Sequence, residues 1–230
     1  MTVRGRDDLD FTRPSTRRSR GPRLRIGVVA PPWLEVPPPG YAGIERVVAV
    51  LVDHLVARGH DVTLFAAPGS RTSASLVTPL DVPPPLGDPA SAGDELYYTT
   101  AAFLRADEFD VVHDHTGMGP AFGSLLGRRV PVVHTLHGPW TASGRRLIEM
   151  VQDRVHFVAI SHAQAAANPG LRYAGIVHNG IDLEAHPLHL AKEDFLVFVG
   201  RISPEKRPEI AGREDLPARL GHTKMRVELP

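Results

Sequence analysis

The sequence predicts an α/β protein built on a doubly wound parallel sheet. Short β-branched runs alternate with longer amphipathic stretches from Leu24 onward, the pattern of strands covered by helices on both faces. Each run also ends in a polar or glycine-containing loop, and in open parallel sheets ligands gather at those carboxyl ends. The 230 residues, 42% of them hydrophobic, can bury one good α/β core but not two complete ones.

The elements follow in order. Leu24 to Ala30 reads as the first strand and the Pro- and Gly-rich PPWLEVPPPGYAG as a loop. Ile44 to Ala57 is a helix with Val47, Val48, Leu51, Leu55 and Val56 on its apolar stripe, closed by Gly59. Asp61 to Ala66 is the second strand, and a weaker region with Leu76 and Val77 leads to a Pro-rich connection from Val82 to Pro89. Asp94 is the expected N-cap of a helix reaching about Asp107. Strands are expected at Phe109–His113, Val130–Leu136, Val155–Ile160 and Ala174–His178, with helices at Ala121–Leu126 and Gly144–Gln152. A polar linker from Asp182 to Asp194 precedes a new strand at Leu196–Val199.

Composition excludes several classes. Lys plus Arg and Asp plus Glu both total 26, so no global charge favours nucleic acid. The absence of cysteine excludes disulfides and thiolate metal sites and suits a cytoplasmic setting. No apolar run approaches the roughly 18 residues of a spanning helix. Residues 1–23 mix Arg4, Arg6, Arg13, Arg17, Arg18, Arg20 and Arg23 with Asp7, Asp8 and Asp10, and read as a disordered tail; peripheral contact with acidic lipid headgroups is the alternative.

Chemistry concentrates after the strands. Gly43, in GYAGIER, stands where free backbone N–H groups could meet an anion, but the segment is not the GxGxxG of a dinucleotide site, and AAPGSR after Phe65 lacks a ribose-binding acid. A nicotinamide-dependent oxidoreductase is thereby disfavoured. Glu45 gains from the helix dipole and could hydrogen-bond a sugar hydroxyl. His113 and His115 could converge on one side of a strand as metal ligands, but a hydrogen-bonding role suits them better, and no metal is expected. His137, at a strand end beside Gly138, offers a neutral ring to a polyhydroxylated ligand, while His134 inside the strand reads as a satisfied core residue. Arg201 and Lys206, in VGRISPEK, place two cations in one loop, a fit for a diphosphate.

In order and spacing, APPWLEVPPPGYAGIERVV, RGHDVTLFA, FDVVHDHTG, VPVVHTLHGPW, AISHAQ, IVHNGID and VGRISPEK resemble the retaining GT-B glycosyltransferases of family 4, from Leu24 to about Ala211. The resemblance implies two Rossmann-like domains facing across a cleft, the first binding the acceptor and the second a nucleotide-sugar donor, with transfer of a hexosyl group under retention. It implies that Gly43 lies near the donor diphosphate, that His137 contacts the transferred sugar, and that Arg201 and Lys206 neutralise the leaving group. Glu45, His115 and Ser161 are expected to bind substrate. No cofactor is implied; the partners are a nucleotide sugar and a carbohydrate, lipid or small-molecule acceptor. The implied organisation is an acceptor-side domain at 24–181, a linker at 182–194 and the start of a donor domain at 195–211. Family members continue through a full second domain, whereas GREDLPARLGHTKMRVELP follows Ala211 here, so 212–230 is expected to be an aberrant or truncated tail, with Gly212, Pro217 and Gly221 breaking any helix. The alternative is an acceptor-binding module without catalysis.

Overall fold

The computed structural model describes residues 21–40, 42–126 and 129–184 together with the strands at 195–199 and 224–228. Seven parallel strands form one sheet: β1 (Arg25–Val29), β2 (Asp61–Phe65), β3 (Ser75–Val77), β4 (Val111–Asp114), β5 (Val132–Leu136), β6 (His156–Ala159) and β7 (Tyr173–Ile176). Their order is β3-β2-β1-β4-β5-β6-β7. The chain winds outward from β1 one way, then crosses to β4 and winds the other way, so the order reverses between β1 and β4, where such sheets bind ligands. The doubly wound parallel sheet is therefore as the sequence predicts.

Strand parity sorts the core into two layers. Val28 and Leu64 pack with Val48 and Val52 of α1 (Gly43–Ala57) on one face. Val29, Phe65, Val112, Val132 and Phe157 pack on the other face with Tyr98 and Phe103 of α2 (Ala92–Phe103) and with Ile148 and Val151 of α4 (Ala142–Val151). Between these helices lies α3 (Gly119–Leu126), whose Phe122 meets Phe103 at 5.7 Å between ring centroids. The buried side of α1 centres on Glu45, Val48 and Val52, at i, i+3 and i+7. Val47 and Leu51, assigned to the stripe from sequence, instead flank a groove beside it. Gly59 ends the helix as expected, with φ +91 and its N–H on the carbonyl of Val56 at 2.8 Å.

Two helix boundaries differ from expectation. Asp94 lies in the first turn of α2 rather than at its cap, where its charge still complements the helix dipole. Asp88 caps a preceding 3-10 turn, its side chain accepting from the N–H of Ala90. The helix also stops at Phe103 and is followed by a separate 3-10 turn at Ala106–Glu108. Further along, Thr141 caps α4 by accepting from the N–H of Gly144, so that helix begins two residues before the expected Gly144.

The loop after β1 is fastened rather than loose. Val36 is fully buried, its N–H donates to Ser70 Oγ at 2.9 Å, and its carbonyl accepts from the N–H of Arg71 at 2.7 Å. At the end of β1, the wholly buried Tyr98 donates its hydroxyl to the carbonyl of Ala30 at 2.9 Å. Tyr98→Phe removes that donor and strands a buried acceptor, an expected loss of about 1–3 kcal/mol, measurable by urea unfolding. An unchanged unfolding midpoint would show that the bond contributes nothing net.

A second sheet pairs β8 (Phe195–Val199) with β9 (Lys224–Glu228) in parallel. The first matches the new strand expected there. The second falls in the tail where the sequence reading places no element; it lies beyond the breakers Gly212, Pro217 and Gly221. Among the described residues, no helix is long and apolar enough to cross a membrane.

Candidate functional site

The site forms where β1, β4 and β5 deliver their following loops. Ile44 at the start of α1, His115 to Gly117 after β4, and His137 to Thr141 after β5 line a cavity of about 280 Å³, with His134 and Thr135 from β5 at its base. Leu147 and Ile148 of α4 close its apolar side. An apolar wall with a few convergent polar groups is the usual make-up of a small-molecule site.

Two of the sequence-predicted residues meet here. His115 Nδ1 and His137 Nε2 lie 2.8 Å apart, with the two rings stacked at 5.1 Å. His113 extends the column, its ring 4.4 Å from that of His115 and its Nε2 on Thr135 Oγ1 at 2.8 Å. The nitrogens of His113 and His115 thus engage different partners instead of converging on one point, and among the described residues no group of three or more His, Asp or Glu is arranged to hold a metal. Burial keeps the column uncharged. The rings of His113 and His137 are pulled down to about 4 by desolvation, and His115 is pulled well below its ordinary value by desolvation and by repulsion from its neighbours.

That neutrality fixes where the protons go. His115 Nε2 is fully enclosed without a partner, so the proton of His115 belongs on Nδ1, leaving a bare lone pair rather than a stranded N–H. His137 Nε2 then accepts from His115, and His137, which lines the cavity, carries its own proton on Nδ1.

The loop bearing His137 is held from the neighbouring strand–helix unit. Gln164, in α5 (His162–Ala166), donates from its amide to the carbonyls of Leu136 at 2.9 Å and Gly138 at 3.3 Å, accepts from the N–H of Ile160, and offers its own carbonyl to Trp140 Nε1 at 3.0 Å. Sequence reading missed Gln164. Its only signal was the polar residue at the third position of a short helix after β6.

The other expected residues are placed differently. Gly43 opens α1 one residue before the cavity-lining Ile44. Glu45 is buried on the inner side of that helix, with its carboxyl raised chiefly by desolvation, and lines no described cavity. Ser161 caps α5, its hydroxyl accepting from the N–H of Gln164 at 3.0 Å, and also stands outside both cavities. Arg201 and Lys206 lie outside the described residues. His134, read as a satisfied core residue, is buried as expected but also borders the cavity.

Next to this cavity, across His115 and Thr135, runs a groove of about 400 Å³ between α1 and the sheet, lined by Val47, Leu51, Val158 and Ile181.

A parallel sheet of order 3-2-1-4-5-6-7 with a histidine-lined cavity past β4 and β5 defines a Rossmann-like domain with its site at the carboxyl ends of the strands. Residues 41–185 match glycosyltransferase family 4, and the chain belongs to that family. It is similar to the crystal structure of AviGT4, a glycosyltransferase involved in avilamycin A biosynthesis, at 30% identity and a TM-score of 0.53, over 79% of this chain and 50% of that one. The fold is shared with sucrose-phosphate synthase from Thermosynechococcus elongatus (15% identity, TM-score 0.56, 70% of this chain and 49% of that one). It is shared also with the catalytic domain of starch synthase IV from Arabidopsis thaliana bound to ADP and acarbose (12% identity, TM-score 0.57, 91% and 74%). No curated protein sequence matches. The chain spans about half the length of the first two solved relatives.

Proposed function

We propose that this chain supplies the acceptor-side domain of a hexosyltransferase that uses a nucleoside-diphosphate sugar and retains the anomeric configuration, with the acceptor-side domain at 24–181, a linker at 182–194 and the donor side beginning at 195–211. The observation that carries the reading is the hydrogen-bonded His115–His137 pair past the ends of β4 and β5 in a family 4 chain. A neutral His137 that lines the cavity and carries its proton on Nδ1 suits the hydroxyls of a transferred sugar, and an uncharged column avoids drawing the diphosphate into that position. In the reaction, the bond from the anomeric carbon to the diphosphate breaks, and the acceptor oxygen bonds that carbon on the same face. The acceptor proton passes to the departing diphosphate. Arg201 and Lys206 neutralise the charge that builds on that leaving group, and no protein nucleophile or metal is required. Gly43, at the start of α1, lies near the diphosphate in this reading.

The test incubates the purified chain with UDP-glucose, ADP-glucose and a panel of glycoside acceptors and measures nucleoside diphosphate release. Arg201→Met and Lys206→Met are each expected to lower release by about 10²-fold, the scale of removing one preorganised charge at a developing anion. Release by both variants at the rate of the unaltered chain refutes the cationic roles. Glycoside binding without release from any donor identifies an acceptor-binding module instead.

A further inference from the structure

Behind the histidine column stands a second pair that the proposed reaction does not use. Asp114, at the end of β4, has no exposed surface. Its Oδ2 accepts from His134 Nδ1 at 2.5 Å, while its Oδ1 accepts from Thr116 Oγ1 at 2.8 Å and from the N–H of Thr116 at 3.2 Å. The proton on Nδ1 is therefore fixed whether the His134 ring is neutral or charged. The ring is also braced edge to face against Phe157, at 5.7 Å and 76°. Its remaining nitrogen, Nε2, has no hydrogen-bond partner among the described residues, and it is not one of the fully enclosed unpartnered atoms, which are Thr99 Oγ1, His115 Nε2 and Asn168 Nδ2. His134 itself lines the same cavity as His137.

A histidine kept only to satisfy a buried carboxylate needs one nitrogen. The second nitrogen is surplus to that role. We propose that Asp114 and His134 form a dyad that presents His134 Nε2 to the base of the cavity as a hydrogen-bond acceptor for a ring hydroxyl. His134 is then a specificity-determining contact for uncharged, hydroxyl-bearing sugar rings, and Asp114 is its positioning residue. With His137 Nδ1–H as donor, the cavity offers one donor and one acceptor. A hydroxyl satisfies both, whereas a phosphate oxygen, which only accepts, meets a lone pair at His134. This selects the sugar and leaves the diphosphate to lie elsewhere. The proposal rests on reading the cavity as the sugar site.

The experiment uses the full chain with ¹⁵N-labelled histidine and follows the ring nitrogens by NMR while methyl α-D-hexopyranosides or inorganic pyrophosphate are added. In the free chain, His134 is expected to show a far-downfield, exchange-protected Nδ1 proton that disappears in Asp114→Asn. Glycosides are expected to shift His134 Nε2 together with the His137 nitrogens, and pyrophosphate to shift neither. His134→Gln, whose amide can still satisfy Asp114, is expected to weaken glycoside binding about fivefold, the scale of one hydrogen bond. Glycosides that move His137 but leave His134 Nε2 unchanged overturn the dyad while the sugar-site reading survives. Glycosides that move neither ring overturn both, and pyrophosphate acting on His134 as strongly as glycosides overturns the selectivity.

Discussion

Gly119→Ala is expected to cost the domain about 3 kcal/mol or more, lowering the melting temperature by roughly 6–12 °C in a chain of this size. Gly119 opens α3 directly against the Asp114 carboxylate, and a methyl group there would coincide with the carboxylate itself. A short side chain with several free rotamers could step aside, but this one is pinned by Thr116 and His134 and is wholly enclosed. The N–H of Gly119 also donates to Thr116 Oγ1 at 3.0 Å, so moving the helix start would break the same cluster. Gly138→Ala is the control, because open space surrounds that position. Thermal unfolding followed by far-ultraviolet circular dichroism reads both variants. Equal melting temperatures would show that Asp114 can relocate freely.

Acid sensitivity is the second large effect. His113 and His137 titrate at about 4 in the folded domain and His115 well below its ordinary value, whereas an unfolded histidine titrates near 6.5. Between those values the unfolded chain binds more protons, so stability rises with pH there. The contribution is complete above about 6.5 and is lost as pH falls toward 4. For His113 and His137 it is on the order of 3 kcal/mol each at most, and less than additive because one charged ring repels the next. Glu45 and Glu95 are raised by burial and act in the opposite sense, taking up protons more readily when folded. Three depressed rings against two raised carboxyls leave a net loss on acidification. Urea unfolding at pH 7.5, 6.0 and 4.5 is expected to show a falling midpoint that His137→Gln flattens; a midpoint constant across that range would sink the expectation.

The strands were legible because β-branched runs such as those of β1 and β5 are bounded by loop residues, and the parity of Val132, His134 and Leu136 correctly marks the side of β5 that packs on α2 and α4. Parity could not tell that this side opens into a cavity at the strand's end. His134 was therefore read as core alone. The joining of His115 to His137 depends on β4 and β5 being neighbours in register, with Asp114 beside His134, and no local pattern specifies that pairing. The cap at Thr141 was missed because the helix was started from Gly144, the residue whose N–H that cap receives. Asp94 misled because an acidic residue favours the whole first turn and not the cap alone.

The brace at Gln164 has a consequence for how such a site changes over time. The carbonyls on either side of His137 are held by an amide on the next strand–helix unit, and Gln164 lines neither cavity. Alterations in β6 or α5 can thus re-aim the imidazole without touching any group that meets the ligand. Selectivity in this fold is adjustable by a lever outside the pocket, and mutational drift that looks silent on the surface of that unit can retune what the pocket accepts.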